Sequence, residues 1–143
     1  MPRQMYNWTC SACATSWCLR ACGAEPNCYE QCGVELIGYP QNINATYGLM
    51  DSSGSAIRAV FDSYGIPTSQ GWLTFDQAWT IFSTTFGCMS GGAWYHWVGV
   101  RGTTPDTIWI ANSAPGYDGV YDNLSRSDFN RLGPFSVVWV NQG

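Results

Sequence analysis

The sequence predicts an α+β fold in a single domain spanning residues 1–143, with helices first and an antiparallel sheet after them. Segments with helix start and stop signals fall before Gly87, apart from one short helix marked by Ser125 and Asp128. Runs dense in β-branched and aromatic residues, bounded by Gly, Pro and Asp, begin only after Gly92. No repeat, linker or charge run divides the chain, and its length suffices to bury one core.

Residues 10–22 (CSACATSWCLRAC) read as a helix that opens at Cys10 and is stopped by Gly23. Pro26 restarts the chain into a short second helix through Tyr29 and Cys32. Residues 33–52 are rich in Gly, Pro and Asn and read as loop. Ser53 stands where it could cap a helix over AIRAVFDSYG, with Gly65 as its left-handed terminator. Thr74 and Gln77 make a capping box for FDQAWTIFSTTFG, which ends at Gly87. WYHWVGV, TIWIAN and FSVVWV then read as strands, and Ser125 with Asp128 marks a short helix before the last of them. Strand alternation places Trp94, His96, Val98 and Val100 on one face.

Hydrophobic residues make up 45% of the chain and charged ones 11%, which is a globular composition and not that of a disordered tail. The formal charge is −4, and all six basic residues are Arg. Phosphate binding needs concentrated positive charge, so nucleic acid is not an expected partner. No apolar run approaches the ~20 residues of a membrane span. The first eight residues hold no apolar stretch of the kind found in signal peptides. Composition leaves the oligomeric state open.

Seven cysteines, six of them between positions 10 and 32, suggest a secreted or extracytoplasmic setting. An odd number leaves a thiol over in a fully paired monomer, and such a thiol is a candidate nucleophile. Cys18, Cys22, Cys28 and Cys32 form two C-x-x-x-C pairs on the two predicted helices. Antiparallel helices would set Cys18 opposite Cys32 and Cys22 opposite Cys28, so two nested disulfides are expected. A four-thiolate zinc site is the alternative, although zinc pairs usually show tighter spacing. Cys88 has no evident partner, with Cys13 one option. Cys10 and Cys13 have redox-pair spacing, without the βαβ context in which such pairs commonly sit. Asn7, Asn44 and Asn123 begin Asn-x-Ser/Thr sequons, which read as incidental in a polar chain.

His96 is the only histidine. A single histidine among aromatic residues is more often a packing residue than a catalytic one. Cys10 changes that balance, because unpaired N–H groups at a helix start favour a thiolate, and a thiolate with an imidazolium is an acyl-transfer nucleophile. The run Gln4-x5-Cys10 resembles the oxyanion Gln and nucleophilic Cys of papain-like cysteine peptidases, including bacterial double-glycine leader (bacteriocin-processing) peptidases. HWVGVRG and the following IWIANSAPGYDGVY are similar to those families' histidine strand, hairpin and third-residue strand. Asn112-Ser113 occupies the place of the Asn-Ser pair that follows the papain-like histidine. Gln, Cys, His and Asn also come in the same chain order.

The resemblance implies a papain-like fold and a thiol hydrolase that cleaves peptide or amide bonds without a cofactor or metal. It implies Cys10 as nucleophile, His96 as general base and then acid, Asn112 as orienter of the imidazole, and Gln4 as oxyanion donor. Its substrate would be a peptide, a protein or a peptidoglycan peptide. Cys13 is a second candidate nucleophile, because CSAC resembles a papain-like CGSC in which the second Cys reacts. However, Asn7 rather than Gln stands six residues before Cys13, and Ala14 replaces the expected Trp. Two other functions stay open on sequence grounds. TCSA and HWVGVRG also resemble NlpC-type cell-wall hydrolases, in which Gln4 would have no role. A disulfide-stapled binding module that has lost activity is the third reading, and the intact Cys, His, Asn and Gln argue against it.

Overall fold

The structure is a computed structural model that describes residues 4–24, 27–91, 96–113, 121–131 and 133–141, without the side chains of 121–123. Helices α1 (Cys10–Ala21) and α2 (Glu30–Ile37) come first, followed by a two-stranded hairpin, β1 (Ile43–Asn44) and β2 (Gly48–Leu49). Then come α3 (Ser55–Ser63), β3 (Thr68–Leu73), α4 (Phe75–Phe82), β4 (Gly87–Gly91), β5 (Trp97–Thr103) and β6 (Thr107–Ala111). The chain ends with β7 (Tyr121–Ser125), α5 (Arg126–Arg131) and β8 (Phe135–Val140). The larger strands form one antiparallel sheet in the order β3-β8-β4-β5-β6-β7.

This sheet is covered on both faces, and period-two alternation decides which side chain goes where. Val98 and Val100 of β5 and Phe135 and Val137 of β8 pack with Met89, Ala78, Phe82 and Phe129 under α4 and α5. Trp97, Cys88, Val138 and Val140 point the other way and join Ala14, Leu19, Val34, Ile57 and Phe61 beneath α1, α2 and α3. The second layer carries the site. Two glycines let α1 settle deeply into it. A Cβ on Gly99 would lie 2.3 Å from the Trp17 ring, and one on Gly33 would lie 2.5 Å from the Ala12 carbonyl oxygen. Their missing side chains allow α1 to press on β5 from one side and on α2 from the other.

The α+β expectation holds, and the Thr74–Gln77 capping box is formed with both of its hydrogen bonds. Several local expectations need correction. Ser53 is not the cap of α3. Gly54 is, in a left-handed conformation at φ 85°, and a Cβ there would meet Val138 at 2.7 Å. Helix α4 stops at Phe82, because Ser83, Thr84 and Thr85 turn back and bond the carbonyls of its last turn. Residues 87–91 then enter the sheet. Part of the predicted loop at 33–52 is helix and hairpin instead. Strand β5 begins at Trp97, one residue after His96, and Trp94 lies outside the described residues.

The cysteine pairing also differs from the nested arrangement. Cys28 and Cys32 are bonded to each other across the start of α2, with Cα atoms 5.3 Å apart. Their sulfurs are therefore spent, which removes the four-thiolate zinc alternative. The helix contact runs through Gly33 against Ala12 and Ser16, and it sets the Cys28 sulfur 3.4 Å from the Ser16 hydroxyl oxygen. Cys18 instead lies beside Cys22 on its own helix and Cys88 on β4.

Candidate active site

Cys10 is the first residue of α1 and is half-buried, whereas Cys13, one turn deeper, is 5% exposed. The Cys10 Sγ accepts a hydrogen bond from the backbone N–H of Trp97 at 3.4 Å. The N–H groups of Cys10 and Ser11 also face this sulfur, because the first N–H groups of a helix have no partner within it. Sequence positions 87 apart are joined here, and Gly99 makes the approach possible.

His96, the residue before Trp97, hydrogen-bonds Asn112 through Nε2 at 2.7 Å to Oδ1. An amide oxygen only accepts, so Nε2 carries the proton and Nδ1 is the basic nitrogen of the neutral ring. Asn112 follows the last residue of β6, and the pairing of Gly99 with Ala111 brings that strand end beside the start of β5. Asn112 is 3% exposed, so a dry wall backs the imidazole.

Gln4 is buried and tied to the same strand end. Its backbone N–H donates to the Ser113 carbonyl at 2.8 Å, and the Ser113 hydroxyl donates to Gln4 Oε1 at 2.8 Å. Gln4 Nε2 donates to the Tyr6 carbonyl at 2.7 Å. Asn112 and Ser113 therefore hold the histidine with one side chain and the glutamine with the next. Glu30 on α2 anchors the intervening segment by accepting from the Met5 N–H at 2.9 and 3.1 Å. The Thr9 hydroxyl lies within reach of both Glu30 and the Tyr6 carbonyl, and its single proton serves one of them at a time.

Burial dominates the electrostatics. It pushes the Cys10 thiol up, and the N–H groups of Trp97, Ser11 and Cys10 pull it back only partly. The expectation that the helix start alone would lower this pKa is thus outweighed by desolvation. Burial likewise holds His96 below its usual value, against the opposing hydrogen bond from Asn112. Cys13 is pushed up to about 12, first by burial and then by the Glu30 carboxylate. At neutral pH these directions favour a thiol at Cys10 and a neutral imidazole at His96.

A slot of about 170 Å³ opens beside Cys10, walled by Trp8, Tyr47, Leu49 and Trp97. A larger groove of about 410 Å³, lined by Tyr6, Trp8, Tyr29 and Val34, lies across Trp8 and does not include Cys10. The structure thus brings together Cys10, the Trp97 N–H next to His96, and Asn112, with Gln4 attached through Ser113. Sequence reasoning missed what Ser113 and Glu30 hold in place. Ser113 could have been noticed as the neighbour of Asn112, but nothing in the local pattern marks Glu30.

No protein-family model matches the sequence, and no curated protein does. Solved structures do match. A double glycine motif protease from an AMS/PCAT transporter, in complex with the leader peptide, is 13% identical with a TM-score of 0.73, covering 98% of this chain and 89% of that one. The peptidase domain of Streptococcus ComA, a bi-functional ABC transporter involved in quorum sensing, is 13% identical with a TM-score of 0.71, covering 99% and 97%. This chain has the papain-like fold of the double-glycine peptidase domains.

Proposed function

We propose that this protein is a cysteine peptidase acting through an acyl-enzyme on Cys10. The observation that carries the proposal is the meeting of Cys10 Sγ with the N–H of Trp97, the residue that follows His96, whose ring Nε2 is committed to Asn112. His96 Nδ1 takes the thiol proton as sulfur attacks the scissile carbonyl. The resulting oxyanion is met by the backbone N–H of Cys10 and by the Gln4 side-chain amide, whose second N–H is not the one bound to Tyr6. His96 then returns the proton to the leaving amine, and water repeats the sequence to release the acyl group. Asn112 fixes the ring in the tautomer this needs.

The substrate is a peptide with small residues at the scissile bond. The slot beside Cys10 is narrow and aromatic, and Gly48 lets the hairpin close on Trp8, since a Cβ there would sit 3.1 Å from the Trp8 carbonyl oxygen. Residues without side chains suit such a passage. This agrees with the double glycine motif named for one structural neighbour. Cys13 is set aside as the nucleophile toward peptide because it is 5% exposed and a substrate carbonyl cannot reach it.

A library of Gly-Gly-containing peptides tests the reading, with purified peptidoglycan and casein as controls. Cleavage after the second Gly that disappears in Cys10→Ala and persists in Cys13→Ala is the expected result. Loss in Cys13→Ala with activity kept in Cys10→Ala would move the nucleophile. Digestion of peptidoglycan alone would favour a cell-wall hydrolase instead.

A further inference from the structure

Cys13 takes no part in the proposed reaction, yet it is a buried nucleophile one helical turn behind Cys10. Residues i and i+3 share a helix face, with Cβ atoms about 5–6 Å apart. A disulfide needs Cβ atoms about 3.5–4.5 Å apart, so bridging asks for a small contraction of one turn. That turn is closed by the Cys13 N–H on the Thr9 carbonyl at 3.1 Å and has no side-chain cap to stiffen it. Both sulfurs also lie near neighbouring strand ends, since Cys10 meets the Trp97 N–H and Cys13 lies near the Ser113 side chain. A helix start elsewhere in the protein accommodates a local bridge, from Cys28 just before α2 to Cys32 within it.

We propose that Cys10 and Cys13 form a modification site for low-molecular-weight disulfides such as glutathione disulfide, in which Cys13 resolves the adduct on Cys10. The proposal rests on the half-buried Cys10 being reached from solvent, as the nucleophile of the proposed peptidase must also be. The Cys10 thiolate attacks one sulfur of glutathione disulfide, forming a mixed disulfide and releasing one glutathione thiolate. Cys13, losing its proton, then attacks the Cys10 sulfur, forming the Cys10–Cys13 bond and expelling the second glutathione thiolate. The two cysteines are oxidised by two electrons, and the disulfide is reduced to two glutathione molecules that take up the two protons. The closed bridge removes the nucleophile reversibly and shields Cys10 from oxidation to sulfinic acid, which is not reversible by thiols.

The test treats the reduced full chain and its Cys13→Ser variant with glutathione disulfide, then reads intact mass and fragmentation of non-reduced peptides. Dithiothreitol recovery of peptide cleavage is followed alongside. The expected wild-type product has a Cys10–Cys13 bond and no glutathione on Cys10, while Cys13→Ser stops at a single glutathione on Cys10. Glutathione retained on wild-type Cys10, or Cys13 bridged to Cys18 instead, would overturn the proposal. The mass readout needs no turnover. If no sample cleaves peptide while the bridge forms, the peptidase reading fails and this one stands.

Discussion

At Cys10 and His96 the two charges a thiol peptidase uses are both disfavoured by burial. In the proposed mechanism the working base is therefore neutral His96, and its titration sets the acid limb of activity. The His96 pKa lies below the ordinary value of about 6.5, so kcat/KM rises with pH to a plateau whose midpoint falls below that value. The stability sign follows from the same shift. Below about pH 6.5 the unfolded chain protonates its histidine first, so stability falls as pH drops through the folded value. A pH–rate profile with its acid midpoint above 6.5 would contradict this. Roles also separate by magnitude. His96→Ala should cost about 10³-fold or more in turnover, because no other histidine can replace it. Asn112→Ala removes one neutral hydrogen bond and should cost about tenfold, the value of roughly 1.4 kcal/mol. Steady-state kinetics of the two variants, with circular dichroism to check the fold, measures the ordering.

Among the elements, α1 positions the proposed nucleophile and β5 receives it. The Cys10 sulfur reaches the Trp97 N–H only because Gly99 has no side chain in front of Trp17. Gly99→Ala should therefore destabilise the fold by about 1–3 kcal/mol, the usual cost of overpacking. It should also lower activity by lifting α1 from the sheet. Gly71→Ala is the control, since a Cβ there meets only Leu73 at 3.7 Å. Urea unfolding of the two variants checks the contrast, and equal midpoints would mean that Trp17 yields without cost. The same contact shows where sequence reading stops. The helix starting at Cys10, the capping box at Thr74 and the last strand were all legible, because local signals produce them. Strands β3 and β4 were not, since TSQGWL and GCMSG carry glycine and little β-branched character and take their strand form from pairing with β8. Cysteine pairing failed for the same reason: i,i+4 spacing names a face, but Gly33 decides which residues of the two helices touch.

For the whole molecule, the proposed site draws on both ends of the chain. The segment at residues 4–10 supplies Gln4 and Cys10, the strand ends after residue 95 supply His96, Asn112 and Ser113, and Glu30 on α2 anchors the first segment. Sequence order made Gln4, Cys10, His96 and Asn112 recognisable as a set, but it could not supply their distances. That gathering is the central claim, and it predicts selective chemistry among seven cysteines. The most direct measurement uses a Gly-Gly peptide carrying a C-terminal thiol-reactive vinyl group, with the labelled residue located by peptide mass spectrometry. One label on Cys10, lost in His96→Ala while the fold is retained, is the predicted result. Label on Cys13 or Cys22 in place of Cys10, or labelling of Cys10 that is unchanged without His96, would contradict it.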